Sequence, residues 1–253
     1  MTRLMTRRTA IIGAAAGLAG VAGVAALRGG LSRPVLAASE TLSIRTQRIL
    51  LRRRPLVREF GRAEISAKFP TNGTSLPAGD AYRRIAANGF RDWALRVDGL
   101  VRTPLSLALP QLARLDARSQ ITMHSCDEGW NAIAQWKGVP LGTLLGLAQP
   151  TERAGYVVFH CMDRKSEDQQ MYYESLDLFD AYHPQTILAY EMNGKPLPVE
   201  FGAPLRLRVE TQIGYKNAKY VDRIELVDDL DRFGKGGGGW WEDFDGAVWY
   251  AGQ

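Results

Sequence analysis

Strands are predicted by the spacing of apolar and polar positions over most of the chain beyond residue 92. Residues 92–101 alternate around an Asp98–Gly99 turn, and residues 186–199 place an Asn193–Gly194 pair between two apolar runs, a pair favoured in two-residue hairpin turns. Further alternating or apolar segments lie at 121–125, 156–162, 204–210 and 219–227. These segments predict that β-structure dominates the fold.

Helical patterns are confined to shorter stretches between the strands. They predict helices at 109–115, 141–147 and 175–181, the last with Ser175 as its N-cap. No internal repeat and no long linker interrupts residues 63–253. The fold class is therefore α+β, predominantly β, in one domain over residues 63–253.

Residues 39–62 form a basic arm ahead of this domain. Leu42, Ile49 and Leu50 alternate with five arginines until Pro55 stops the pattern, which predicts an amphipathic helix. Such a segment is suited to contact with anionic lipid. An arm that is solvated, or that packs onto the domain core, is the alternative.

The first 38 residues have the pattern of an export signal. A positive start leads into a weakly apolar, Gly- and Ala-rich run from Ala10 to Leu27, and small residues around Ala37 and Ala38 offer a cleavage point. The pair Arg7–Arg8 ahead of that run resembles a twin-arginine signal, which serves proteins that are exported folded. An ordinary secretory signal, or an uncleaved anchor in the membrane, is the alternative. We therefore expect a periplasmic or otherwise exported protein.

The positive charge of the chain is local. The 253 residues carry a net charge of +5, but residues 1–62 hold twelve Arg against two Glu, which leaves the remainder at −5. A nucleic-acid-binding domain normally presents a basic surface, because neutralising phosphates dominates its affinity. We therefore expect no nucleic-acid partner. The composition, 45% hydrophobic and 23% charged, is that of a folded protein and excludes general disorder.

The two cysteines, Cys126 and Cys161, leave several kinds of chemistry open. In an exported protein an even count favours a disulfide. A thiolate bound to a soft metal is the alternative, because the metal deprotonates and protects it. Structural zinc is disfavoured, since the three scattered histidines lack the paired spacing of zinc sites. The glycine-rich segment 234–241 lacks the Lys-Ser/Thr of a nucleotide P-loop.

Four segments, in order, carry a resemblance to a known family. They are "HSCDEGWNAIAQWKGVPLGTLL" (124–145), "YYESLDL" (172–178), "HPQTILAYEMNGKPLPVEFGAPLRLRV" (183–209) and "GYKNAKYVDRIEL" (214–226). Together they resemble the sulfite-oxidase family of molybdopterin-dependent oxidoreductases, in the bacterial branch related to the periplasmic methionine sulfoxide reductase catalytic subunit. The resemblance covers about residues 65–230 and implies the sulfite-oxidase molybdopterin-binding fold.

The resemblance implies a molybdenum centre held by Cys126. In that family one cysteine thiolate binds the metal beside the two dithiolene sulfurs of a single pyranopterin. The matching positions imply cofactor contacts from ten residues: Asn72, Gly73, Thr74, Cys126, Cys161, Arg206, Lys216, Asn217, Ala218 and Lys219. Arg and Lys donors in a glycine-containing turn suit the anionic end of such a cofactor.

Catalytic roles are implied for Cys126, Tyr172 and His124. Tyr172 matches the segment that brings a phenol hydroxyl to the metal, with Tyr173 as the alternative if the register slips by one residue. His124, two residues before the metal cysteine, shares its face of a strand. We expect the other two histidines to be structural, and the tryptophans near Cys126 to pack around the metal loop.

Two positions depart from the family pattern. Phe201 stands where an Asn before Gly-Ala-Pro is usual, so a pterin hydrogen bond is missing there. Asp127 replaces an apolar residue beside the metal cysteine and alters the pocket. Arg208 and Lys195 are expected to be solvated charges on strands.

The sequence therefore predicts an exported mononuclear molybdenum oxidoreductase that transfers an oxygen atom to or from a small oxo substrate. The acidic body and Asp127 favour S-oxide or N-oxide reduction, and sulfite oxidation at the same site is the alternative. No Cys-x-x-Cys-His haem motif occurs, so we expect a separate electron carrier, such as a membrane or soluble cytochrome. The alternative of another class is a metal-free binding module with a Cys126–Cys161 disulfide.

Overall fold

The computed structural model describes residues 42, 44–49, 52–165 and 169–252. The chain divides into two compact units, residues 1–53 and residues 54–253. In the first unit, residues 44–49 are helical, as the pattern of the basic arm predicts. The predicted export signal lies outside the described residues. Within the described ranges, no helix has both the length and the apolar character needed to cross a membrane.

The second unit contains a five-stranded mixed sheet. Its order is β2-β1-β10-β5-β6, with β1 parallel to β10 and the other neighbours antiparallel. The strands are β1 (Ala94–Gly99), β2 (Leu105–Ala108), β5 (Tyr156–Arg164), β6 (Met171–Asp177) and β10 (Val221–Val227). Each of the predicted alternating segments at 92–101, 156–162 and 219–227 forms a strand of this sheet.

A second sheet is antiparallel and has the order β3-β4-β7-β8, with β9 also paired to β7. The strands are β3 (Arg118–Ser125), β4 (Asn131–Pro140), β7 (Ile187–Met192), β8 (Lys195–Pro196) and β9 (Arg206–Arg208). Asn193 and Gly194 connect β7 to β8 with φ values of 50° and 75°, the left-handed conformations that this two-residue hairpin requires. The predicted hairpin is therefore confirmed.

Five short helices accompany the sheets: α1 (Asp80–Ala87), α2 (Leu109–Leu112), α3 (Leu141–Ala148), α4 (Leu178–Ala181) and α5 (Trp240–Asp245). The predicted helix at 141–147 is confirmed by α3. The prediction of a helix from Ser175 is wrong, because residues 171–177 pair with β5 as β6. Helix α4 begins after Asp177, whose carboxylate accepts the Asp180 N–H at 2.9 Å and so supplies the N-cap.

The main hydrophobic core lies around the first sheet and α3. Leu144 and Leu145 of α3 are fully buried, as are Val157 and Val158 of β5. Burial of each such side chain contributes about 1.5–3 kcal/mol to folding. A smaller core on the second sheet surrounds Trp136. The predicted class, α+β and predominantly β, is confirmed.

Candidate active site

A partly open cavity lies where six separated segments of the second unit meet. Its wall combines carboxylates, ammonium groups, amides and aromatic rings. The lining residues are Asn72, Gly73, Thr74, Asp127, Glu128, Asp163, Lys165, Tyr172, Gly214, Tyr215, Asn217, Ala218, Lys219 and Trp241. Seven of the predicted site residues are in this set: the 72–74 loop, Tyr172 and the 217–219 segment.

Cys126 lies at the end of β3, in a tight turn beside the cavity. Its N–H donates to Trp130 O at 2.9 Å, and the Gly129 N–H donates to Cys126 O at 3.1 Å, with Gly129 at a φ of 88°. The turn brings Asp127 and Glu128 to the cavity wall. The thiol is free and 8% exposed, and burial raises its pKa to about 12. Without a metal it is therefore a neutral thiol, whereas a metal would bind it as the thiolate.

The backbone at Gly214 packs closely against the turn that holds Cys126. A Cβ at Gly214 would lie 3.2 Å from both Cys126 Cα and His124 Nε2, and 3.3 Å from Ser125 O. These distances are tighter than ordinary van der Waals contact, so the absence of a side chain lets the 3₁₀ turn Gly214–Lys216 pack against the Cys126 turn.

His124 is buried behind the Cys126 turn and does not line the cavity. Its Nδ1 is 2.7 Å from Arg208 Nη1, and a guanidinium only donates, so Nδ1 accepts and Nε2 carries the hydrogen. Burial, and then the charge of Arg208, hold the pKa of His124 well below its usual value. Among the described residues Nε2 has no hydrogen-bond partner. His124 therefore keeps an unused donor beside Gly214 and Cys126.

The prediction that Arg208 is a solvated strand charge is wrong. Arg208 is 1% exposed and pairs with Glu210 through two hydrogen bonds of 3.0 and 2.6 Å. Its strand, β9, pairs with the central strand β7, so the alternation of "RLR" does not place one face in solvent. Lys195 is exposed, as predicted.

Of the two candidate tyrosines, Tyr172 and Tyr173, it is Tyr172 that lines the cavity. Its hydroxyl donates to Tyr215 O at 2.6 Å, and burial raises its pKa well above the usual value. Tyr173 lies on the other side of β6, where its hydroxyl bonds Asp243. The structure thus distinguishes the two candidates that the sequence left open, and it keeps the Tyr172 phenol neutral.

The 72–74 loop is fixed by Lys219. The Lys219 ammonium donates to Asn72 O at 2.8 Å, to Glu200 O at 3.0 Å and to Thr74 O. Burial, and then the charge of Arg206, lower the pKa of Lys219 to about 7. An anion in the cavity would favour its charged form.

Three other predicted cofactor contacts are buried beside the cavity instead of lining it. Arg206 donates to Phe201 O at 3.0 Å and to Asn217 O at 3.2 Å, and so holds the backbone of the 217–219 segment. Cys161 is part of the main core at 3% exposure. The Lys216 ammonium is enclosed by two glutamates. The disulfide that the cysteine count allows is not formed, since both thiols are free.

Phe201 and Asp127, which depart from the family pattern, and the two other histidines all make contacts with neighbouring protein groups. The Phe201 ring meets Phe69 edge-on with centroids 5.6 Å apart, so this position supplies packing to the smaller core. Asp127 Oδ1 accepts from the Cys126 thiol at 3.4 Å. His160 is bonded to Glu225 at 3.0 Å, and His183 to Pro55 O at 3.2 Å.

The sequence missed several residues of the cavity wall. Asp163 is a buried residue near the end of β5, Lys165 directly follows that strand, and Trp241 lies in α5 near the end of the chain. Asp163 accepts a hydrogen bond from Thr74, and burial raises its pKa. The sequence signal for Asp163 and Lys165 is the charged end of an otherwise apolar strand. That signal does not reveal that Trp241, from a helix distant in the chain, lines the same cavity.

Comparison with known proteins gives one family and several relatives. The model for the oxidoreductase molybdopterin-binding domain matches residues 83–232. A protein provisionally named protein-methionine-sulfoxide reductase subunit YedZ1, from Azospira oryzae, is 38% identical over 189 residues, which cover 75% of this chain and 65% of that protein. The protein-methionine-sulfoxide reductase catalytic subunit MsrP of Xanthomonas campestris pv. campestris is 38% identical over 150 residues, covering 54% of this chain and 46% of its own length.

This chain therefore spans less than two thirds of the length of these relatives. Among solved structures, the sulfane dehydrogenase SoxCD from Paracoccus pantotrophus aligns with a TM-score of 0.49 and 23% identity, over 55% of this chain and 39% of that chain.

Proposed function

This chain belongs to the family of oxidoreductases with a molybdopterin-binding domain, and on that basis we propose that it reduces a small S-oxide or N-oxide at a molybdenum centre held by Cys126. The matched region, residues 83–232, contains all four segments that carry the resemblance to the sulfite-oxidase family. The observation that carries the proposal is the free Cys126 thiol beside a cavity whose wall presents ammonium and amide groups.

The residues present fit a cofactor with one soft metal and one anionic end. Cys126 supplies a thiolate where Asp127 and Glu128 reach the cavity, and a thiolate suits molybdenum better than oxygen ligands do. Among the described residues, no cluster of three His, Cys, Asp or Glu side chains could hold a metal alone. We propose a single pyranopterin, whose dithiolene would supply the other sulfur ligands and whose phosphate would lie near Lys219.

When bound, this cofactor supplies oxygen-atom transfer and a two-electron change of oxidation state. For an S-oxide, the S=O bond breaks, the sulfur is reduced, and two electrons with two protons release the oxygen as water. The protein's part is to hold the site. The 72–74 loop, fixed by Lys219, and the 217–219 segment, fixed by Arg206, form two walls that would orient the pterin.

The charges beside Cys126 favour reduction of a neutral oxo group. Asp127 and Glu128 both line the cavity next to the thiol, and sulfite would carry its negative charge at the reacting atom. Like charges within a few ångströms repel strongly in a partly buried site. A neutral S-oxide or N-oxide avoids this repulsion.

Electrons would come from a separate carrier, and the partner that we propose is a membrane or soluble cytochrome. We also propose that the protein acts after export, as the arginine pair and apolar run of residues 1–38 suggest. Fractionation of cells that express the full chain, compared with an Arg7→Lys/Arg8→Lys variant, tests this point. Location of the wild type in the cytoplasm would contradict it.

The decisive experiment measures molybdenum and pterin in protein matured in a cofactor-competent host. We expect both in the wild type, and loss of catalysis with an altered or absent Mo(V) resonance in Cys126→Ser. Cys161→Ser is the matched control and should retain the metal. Steady-state assays with reduced viologen and a sulfoxide, and separately with sulfite and an electron acceptor, should show turnover with the sulfoxide. Metal-free wild type with a Cys126–Cys161 disulfide would refute the proposal.

A further inference from the structure

Lys165 is a buried cation in the cavity wall to which no role has been assigned. It follows β5, is 7% exposed, and lines the cavity together with Tyr172 and Trp241. Its Nζ lies 5.1 Å from the ring centroid of Tyr172, 4.7 Å from that of Trp240 and 5.0 Å from that of Trp241. Three aromatic rings therefore hold the ammonium in one place.

The ammonium of Lys165 has no hydrogen-bond or ion-pair partner in residues 52–165 and 169–252, which the structure describes, although the carboxylate of Asp163 lies in the same wall. Lys219, by contrast, uses its ammonium on three carbonyl oxygens, and Lys216 on two glutamates. Cation–π contacts offset part of the desolvation cost of a buried ammonium. They leave its three N–H groups available to an acceptor.

The Lys165 ammonium lies beside the 72–74 loop, and two carboxylates line the same cavity beside the Cys126 thiol. A Cβ at Gly73 would be 3.9 Å from Lys165 Nζ, so the ammonium lies against the 72–74 loop on the cavity wall. Asp127 and Glu128 supply negative charge to the same cavity next to Cys126. The cavity wall thus combines carboxylates next to the predicted metal ligand with a cation whose donors have no partner among the residues that the structure describes.

We infer that Lys165 binds an acid group of the substrate, so that the preferred substrate is an S-oxide or N-oxide that also carries a carboxylate, sulfonate or phosphate. This inference rests on the proposed function. The neutral oxo group would lie toward Cys126, and the anion would accept charge-assisted hydrogen bonds from Lys165. The phosphate of the cofactor is a second source of an anion with the same chemistry, and the experiment separates the two.

The first arm of the test compares two substrates that differ by one charge, N-acetylmethionine sulfoxide and its C-terminal amide, on loaded enzyme. We expect Lys165→Met to raise KM for the acid about tenfold or more and to leave KM for the amide within about twofold. Lys165→Arg should keep the preference, and Lys195→Met, at an exposed position on β8, should match the wild type. Because both substrates are measured on one preparation, a smaller folded fraction cancels in the ratio of KM values.

The second arm is independent of turnover. Sulfate is titrated into the loaded wild type, Lys165→Arg and Lys165→Met by calorimetry, with molybdenum and pterin contents measured on the same samples. We expect sulfate binding that Lys165→Met weakens by about tenfold or more and Lys165→Arg preserves. Equal KM changes for acid and amide, together with unchanged sulfate binding, would overturn the inference.

A third result would overturn the substrate assignment in another way. If Lys165→Met loses pterin while the loaded fraction keeps its preference for the acid, the anion at Lys165 is the cofactor's phosphate. Failure of the proposed function looks different, because loaded wild type would then bind sulfate through Lys165 yet reduce neither sulfoxide.

Discussion

Arg208 donates a hydrogen bond from Nη1 to Nδ1 of His124 over 2.7 Å, and the same guanidinium is bonded twice to Glu210. The three side chains are 2% exposed or less. The chain of contacts fixes the orientation of His124 and leaves its Nε2–H directed at the junction of Gly214 and Cys126. A polar assembly at the back of the cavity thus connects strand β9 to the end of β3.

Arg208→Met should lower the free energy of unfolding by about 3–5 kcal/mol, because it removes the guanidinium that is bonded twice to the buried Glu210 carboxylate. Urea unfolding followed by circular dichroism measures the change. Arg153→Met is the matched control, since the Arg153–Asp228 pair is largely exposed and should contribute little. Equal losses in the two variants would show that the buried assembly does not stabilise the fold.

Gly214→Ala should impair the metal site more than the fold. The added Cβ would meet Cys126 Cα and His124 Nε2 at 3.2 Å, so the backbone of one side must shift, at a cost of about 1–3 kcal/mol. We expect a lower molybdenum content per chain and an altered Mo(V) resonance. Gly146→Ala in α3 is the control, because no atom lies within 4 Å of its new Cβ. Unchanged metal content in Gly214→Ala would contradict the close packing.

The Lys216 ammonium is fully buried between Glu174 and Glu242, from the latter at 2.7 Å. Burial raises the pKa of Glu174 well above its usual value, although the Lys216 ammonium acts in the opposite direction. We therefore expect Glu174 and Glu242 to share one proton. Lys216→Met should cost about 3–5 kcal/mol of unfolding free energy. Adding Glu174→Gln to that variant should recover part of the loss, as a double-mutant cycle measures. A fully additive double variant would argue against the coupling.

The lowered pKa of Lys219 predicts that the stability of the cofactor-free protein depends on pH. Its pKa is about 7 in the folded state against an ordinary 10.5, so between these values the unfolded chain binds more protons. Stability due to Lys219 should therefore rise with pH from about 7 to 10, by up to about 1.4 kcal/mol per unit, and be constant below 7. Thermal unfolding across this range, relative to Lys219→Met, isolates the effect. A difference between the two proteins that stays constant with pH would contradict it.

Part of this molecule is specified by local sequence. Asn193–Gly194 forms its hairpin because few other pairs tolerate two left-handed residues in succession. The apolar period of 141–147 gives α3, and the motif around Cys126 is enough to predict the metal-ligand position. Both kinds of signal depend on residues close together in the chain.

Other features depended on which strands became neighbours. Ser175 continues β6 because pairing with β5 outweighs its propensity to cap a helix. Arg208 is buried because β9 pairs with the central strand β7, whereas its alternating neighbours suggested a solvated face. Charge alone does not show whether a residue is solvated or enclosed, since that depends on what covers it.

The sequence by itself determined the family and the fold class, and it predicts that Cys126 binds the metal. Only the tertiary structure decided which donors remain available. Lys216, Lys219 and Lys165 are indistinguishable as lysines, yet the first is enclosed by glutamates, the second is bonded to carbonyls and the third lies among aromatic rings, without a hydrogen-bond acceptor in the part of the chain that the structure describes. The physical reason is that a hydrogen-bond partner is fixed by distances between segments far apart in the chain, which residue order does not contain.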